Sequence, residues 1–128
     1  DTFGHAVGDQ VLGRIAGCLK TNTRRYNKIG RYGGDELIVV LPDCQKANLE
    51  KIAERLRASI ARQRFKTERG GLRATISCGA ASSENIPHAT LRQILQASDK
   101  ALYEAKARGR NLVVMAKPTR GRKRTKKA

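Results

Sequence analysis

A chain of 128 residues has the length of one domain, large enough to build a core without disulfides or a structural metal. Its formal charge is +16, but residues 117–127 supply seven Lys or Arg and no acid, leaving 20 basic against 11 acidic residues elsewhere, or +9. That balance suits a phosphate-bearing ligand and suits nonspecific adhesion to nucleic acid equally well, while the lack of any apolar run of bilayer length excludes a membrane-spanning helix within these residues.

In chain order, Val11, Leu12, Ile15, Ala16 and Leu19 recur at helical spacing, so a first amphipathic helix is expected from about Asp9 to Lys20. Asp9 stands where an N-cap would stand. Lys28 to Tyr32 has strand character, Leu37 to Leu41 is an apolar run closed by Pro42-Asp43, and a tight reversal falls on Gly33-Gly34-Asp35-Glu36. Glycine takes positive φ at little steric cost and lets a ligand approach the backbone, while two carboxylates offer hard oxygen ligands. A plain acidic turn accounts for the same residues, since hairpin turns favour Gly and Asp.

Leu49, Ile52, Ala53, Leu56 and Ile60 form a second helical stripe, with Arg55, Arg57, Arg62 and Arg64 assigned largely to its solvated side. Gly70-Gly71 reads as a turn, and Leu72 to Gly79 as a single central strand. Leu91, Ile94, Leu95, Ala101, Leu102 and Ala105 give a third helix between Thr90 and Arg108, stopped by Gly109 at C′. Leu112 to Met115 makes a last short strand, and Lys117 to Ala128 is too charged to fold alone. Cys18, Cys44 and Cys78 are odd in number, widely spaced and set in apolar surroundings, which reads as reduced packing residues in a cytoplasmic protein.

The order helix, hairpin, helix, strand, helix, strand predicts an α+β fold with helices layered on a mostly antiparallel sheet. No strand precedes the first helix, so the sheet is expected to lack a leading strand and to show an open edge there. The chain opens at Asp1 rather than at a methionine, so sensory or membrane-anchoring segments upstream are expected.

Four blocks share one pattern: Asp1-x-x-Gly4-His5-x-x-Gly8-Asp9-x-x-Leu12, then Gly33-Gly34-Asp35-Glu36, then Ile76-Ser77-Cys78-Gly79, then Leu102-Tyr103-x-Ala105-Lys106-x-x-Gly109-Arg110-Asn111. Over residues 1–116 this resembles the GGDEF domain of diguanylate cyclases, with 117–128 left as a basic, disordered tail. The resemblance implies a nucleotidyl-cyclase-like, ferredoxin-like fold and the condensation of two GTP into cyclic di-GMP, a bacterial second messenger, by a homodimer that uses Mg²⁺ or Mn²⁺. A catalytically inactive module that binds GTP or cyclic di-GMP is the alternative.

By motif position Asp35 would be metal ligand and general base, and Glu36 a second metal ligand. His5 and Asp9 would bind guanine, Gly33 and Gly34 the phosphates or ribose, and Lys106 and Arg110 the terminal phosphates. Four-residue spacing at a helix end would let one face present both cations, although compensation of the helix dipole explains their placement too. A metal-binding aspartate and a guanine-reading asparagine of the family fall before Asp1, so this segment alone is expected to turn over poorly. The inhibitory product motif R-x-x-D is represented by Arg24-Arg25-Tyr26-Asn27, in which a neutral amide replaces the anionic acceptor, and the motif closes on Leu37 in place of Phe. The tail's composition permits contact with nucleic acid or an acidic membrane, but it lacks aromatics for stacking.

Overall fold

The computed structural model describes residues 4–24 and 27–118, without the side chain of His5. The elements run α1 (Gly4–Thr21), β1 (Lys28–Arg31), β2 (Leu37–Val40), α2 (Lys46–Arg62), β3 (Arg64–Thr67), β4 (Gly70–Arg73), β5 (Cys78–Ala80), a 3₁₀ turn (Ser83–Asn85), α3 (Leu91–Ala107) and β6 (Val113–Met115). The fold is α+β, and it divides into two compact units, Asp1–Asp43 with Ala58–Thr75, and Cys44–Arg57 with Ile76–Ala128.

In the first unit α1 packs on β1 and β3. Val7, Ile15 and Leu19 are buried on one face of the helix, together with Phe65 of β3. Full burial of such side chains is worth about 1.5–3 kcal/mol each. Strands β1 and β2 pair antiparallel from Lys28↔Val40 to Arg31↔Leu37, and β3 and β4 from Arg64↔Arg73 to Thr67↔Gly70. Cys18 is a polar junction as well as a packing residue, because its sulfur accepts from Gln63 Nε2 at 2.8 Å and lies 3.7 Å from Ser59 Oγ.

In the second unit β5 and β6 run parallel, connected by α3, which packs on both. Ala101, Ala105, Val114 and Ala116 form the core, with Ala81, Ala97 and Leu112 packed against it. Gly79 makes this packing possible. A Cβ added there would lie 2.2 Å from the carbonyl oxygen of Ser98 and 2.3 Å from the amide of Leu102, so the helix backbone rests directly on the strand. Thr90 and Gln93 close a capping box at the start of α3, and all three cysteines are free.

Several expectations need correction. Helix α1 starts at Gly4, which places Asp9 in its second turn and removes any N-cap role. Gly70 and Gly71 are strand residues paired with Thr67 and Lys66; the reversal falls on Glu68-Arg69, with Gly70 at φ +94°. Strand β3 was hidden because Arg64 and Lys66 on its solvated face look like a helix's wet side. The expected strand 72–79 is two strands of different sheets, β4 and β5, so the described strands form three two-stranded sheets, one of them parallel, and none of them has a central strand. Leu91, assigned to the apolar stripe of α3, is 69% exposed.

Candidate functional site

The first unit carries the acidic hairpin tip. Five residues, 32–36, connect β1 to β2, and the carbonyl of Glu36 accepts from the amides of Tyr32 at 2.8 Å and Gly33 at 3.4 Å. This closes the loop at its base and leaves Gly33, Gly34 and Asp35 exposed, with Glu36 half-buried. Neither glycine has positive φ, contrary to expectation. Their value is space: nothing lies within 4 Å of a Cβ added at Gly34, and Gly33 would meet only the Glu36 side chain. A nest of amides requires alternating backbone handedness, which Gly33 and Gly34 do not show.

Arg31, at the end of β1, is the residue that sequence reasoning passed over. Its Nη2 donates to the carbonyl of Gly34 at 2.5 Å and to Asp9 Oδ1 at 3.2 Å, and its Nε donates to the carbonyl of Gly33 at 3.3 Å. One guanidinium thus ties the tip to α1 and brings Asp9, Gly33 and Gly34 together. The only clue in sequence was a planar five-donor side chain two residues before a Gly-Gly pair. Asp9 also lines an open cleft of about 470 Å³ with Gln10, Gly13, Arg14, Lys66, Thr67 and Glu68. Gln10 closes one edge of it by donating to Glu68 Oε2 at 2.8 Å while accepting from the Glu68 amide at 3.0 Å.

His5 lies on α1, but its side chain falls outside the described residues. At the degenerate R-x-x-D segment the Asn27 amide donates to the carbonyl of Arg24 at 2.9 Å; residues 25 and 26 are outside the described residues, as is the tail beyond Pro118. Among the described residues no group of three or more His, Cys, Asp or Glu could hold a metal ion. Adjacent Asp35 and Glu36 nonetheless fit Mg²⁺, which commonly takes one or two carboxylates and completes its shell with phosphate and water.

The second unit carries the cationic turn. Lys106 sits half-buried in the last turn of α3, and Arg110 lies beyond the helix, at φ +67°. Helical i, i+4 spacing therefore does not place this pair. What places Arg110 is a Schellman ending, in which the Arg110 amide donates to the carbonyl of Ala105 at 3.0 Å and the Gly109 amide to that of Lys106 at 3.4 Å.

Arg57, read as part of a wet face, is mostly buried at 18% side-chain exposure and grips Glu54 through Nε at 2.9 Å and Nη2 at 2.5 Å. The hydrogen bond from Arg57 holds the Glu54 carboxyl below its usual range and raises the guanidinium of Arg57 in turn. Burial pushes the nearby Cys78 thiol up to about 11, with Arg57 opposing the shift and Glu54 adding to it. A neutral, half-buried thiol suits a packing role.

The family model described as "Diguanylate cyclase, GGDEF domain" matches residues 1–112. The chain is 39% identical over 117 residues to Diguanylate cyclase A of Treponema denticola, covering 91% of this chain and 31% of that protein. It is 40% identical over 116 residues to the response regulator PleD of Caulobacter vibrioides, covering 89% and 25%. Among solved structures, the active GGEEF domain of a diguanylate cyclase from Vibrio cholerae matches with a TM-score of 0.79 at 30% identity, covering 93% of this chain and 74% of that one. The chain spans about a quarter to a third of the length of these two curated relatives.

Proposed function

The chain belongs to the diguanylate cyclase GGDEF-domain family, with the nucleotidyl-cyclase-like fold of its structural neighbours, and on that premise we propose that residues 1–116 are part of a catalytic domain that, with its leading strand, condenses two GTP into cyclic di-GMP. The 3′-hydroxyl of one GTP attacks the α-phosphorus of the other. The new P–O bond forms as the bond to the α–β bridging oxygen breaks, pyrophosphate leaves, and repetition with the roles exchanged closes the ring. Since nucleophile and electrophile sit on different nucleotides, two domains, each with one GTP, face each other in a homodimer, and regulatory segments elsewhere in the full-length protein control that encounter.

Asp35 accepts the hydroxyl proton and passes it to water. Asp35 and Glu36 hold Mg²⁺ or Mn²⁺, which when bound neutralises phosphate charge and makes the hydroxyl more acidic. Asp9, with His5, accepts the N1 and N2 hydrogens of guanine. Gly33 and Gly34 leave room for phosphate to approach the backbone, and Lys106 and Arg110 neutralise the terminal phosphates. Asn27 cannot supply the charge of an aspartate at the degenerate inhibitory site, so product feedback through Arg24 is weak.

The observation that best supports this reading is the exposed carboxylate tip tied through Arg31 to Asp9, so that the metal-side and guanine-side residues share one brace. Full-length protein given GTP and Mg²⁺ should yield cyclic di-GMP and pyrophosphate, separable by chromatography, and Asp35→Asn should abolish the product while retaining GTP binding. Normal turnover by Asp35→Asn removes the role given to Asp35. Tight nucleotide binding by the unaltered protein without product identifies a binding module instead.

A further inference from the structure

Residues 109–111 hold three successive positive φ values: Gly109 at +119°, Arg110 at +67° and Asn111 at +54°. Glycine takes this region freely and asparagine tolerates it, but arginine is disfavoured there. Such a conformation persists only where its surroundings over-determine it. Here the Schellman bonds account for the approach to Arg110, and a second set of contacts fixes the chain one residue later. The Asn111 amide donates to Ser77 Oγ at 3.1 Å, and the Asn111 side-chain Oδ1 accepts from Arg57 Nη1 at 2.7 Å. Arg57 is itself immobilised by its two bonds to Glu54 and by burial. Leu112 then joins the core, and its carbonyl accepts from the Cys78 amide at 3.0 Å.

The side chain of Arg110 takes no part in this network, although the network surrounds its backbone. Packing alone would be served as well by glycine or asparagine at that position, at lower conformational cost. We propose that Asn111 is a positioning residue for Arg110: the Glu54–Arg57–Asn111 chain, with Ser77, holds the backbone of Arg110 in the left-handed conformation from which its guanidinium meets the terminal phosphates of the nucleotide. This rests on the phosphate role given to Arg110 above.

Three substitutions separate the parts. Asn111→Gly keeps the left-handed backbone accessible but removes the acceptor for Arg57, Asn111→Asp keeps both features, and Arg110→Ala removes the phosphate ligand itself. Binding is measured on the full-length protein with a GTP analogue whose α–β bridge cannot be cleaved, with guanosine as the phosphate-free control. Arg110→Ala should weaken the analogue about tenfold or more, as loss of a hydrogen bond between charged groups does. Asn111→Gly should weaken it roughly three- to tenfold with guanosine affinity unchanged, Asn111→Asp should stay within about twofold of the unaltered protein, and Asn111→Gly should add nothing once Arg110 is Ala.

If Asn111→Gly leaves analogue affinity intact while Arg110→Ala lowers it, the positioning role is overturned and the phosphate role stands. If Arg110→Ala has no effect, both fall. Equal losses for analogue and guanosine in Asn111→Gly mark a general structural defect and also overturn the proposal.

Discussion

The acidic tip of the β1–β2 hairpin and the cationic turn after α3 carry complementary chemistry but are built to opposite standards. The tip is a five-residue loop with open space at Gly34 and the Glu36 side chain near Gly33, closed at its base by the Glu36 carbonyl and tied to α1 by the exposed guanidinium of Arg31. The turn is fixed by a Schellman ending, by two side-chain hydrogen bonds at Asn111 and by a helix lying directly on a strand at Gly79. Under the proposed function, metal ligands and the reacting hydroxyl need room to be completed by nucleotide and water, and an exposed tip would leave that room. In the phosphate role proposed for Arg110, a turn set beforehand would be a gain, since immobilising a long arginine at the moment of binding costs conformational entropy.

The contrast can be tested most severely at Gly79. Gly79→Ala forces a methyl against backbone that has no rotamer to yield, and we expect a loss of about 3 kcal/mol or more, seen as a fall in the denaturation midpoint. The same change at Gly34 meets open space and should cost less than about 1 kcal/mol; equal losses would erase the distinction between the two regions. A second test is pH. The Cys78 thiol is raised to about 11 in the folded state, so above its ordinary value the unfolded chain releases a proton that the folded chain keeps. Stability is then unaffected below that ordinary value and falls as pH rises toward 11, by on the order of 1–3 kcal/mol. Urea melts at pH 8 and pH 10.5 should show the decline, and Cys78→Ala should lessen it.

Smaller effects sharpen the comparison. Thr90→Ala removes the capping box of α3 and should cost about 1 kcal/mol, read from the same melts. Arg31→Ala breaks an ion pair whose partners are 52% and 65% exposed, so its effect on stability should stay below about 1 kcal/mol and shrink further with added salt. Its effect on turnover should be the larger of the two, because the tip loses its brace; unchanged turnover would mean that the tip needs none.

The three helices were legible because their apolar residues repeat at the helical period, and the stop at Gly109 is a local signal too. The β1–β2 hairpin was legible through its turn residues. The failures share one cause. Strand β3, the split of residues 72–79 between two sheets and the burial of Arg57 all depend on partners distant in sequence, about which a local period carries no information. Arg110 was misplaced for the opposite reason, since a helical spacing was extended three residues past a helix that had already ended.

By itself the sequence determined the chemical inventory: a Gly-Gly-Asp-Glu tip, a carboxylate at Asp9 and cations at Lys106 and Arg110, ordered in a pattern specific enough to name a family. Only the tertiary structure decided how that inventory is held. Arg31 reaches across from β1 to Asp9, α3 rests on Gly79 without a side chain between them, and Arg57 reaches Asn111 from another helix. Each of these is a contact between segments far apart in the chain, and its existence depends on distance and close packing, which composition and spacing do not encode.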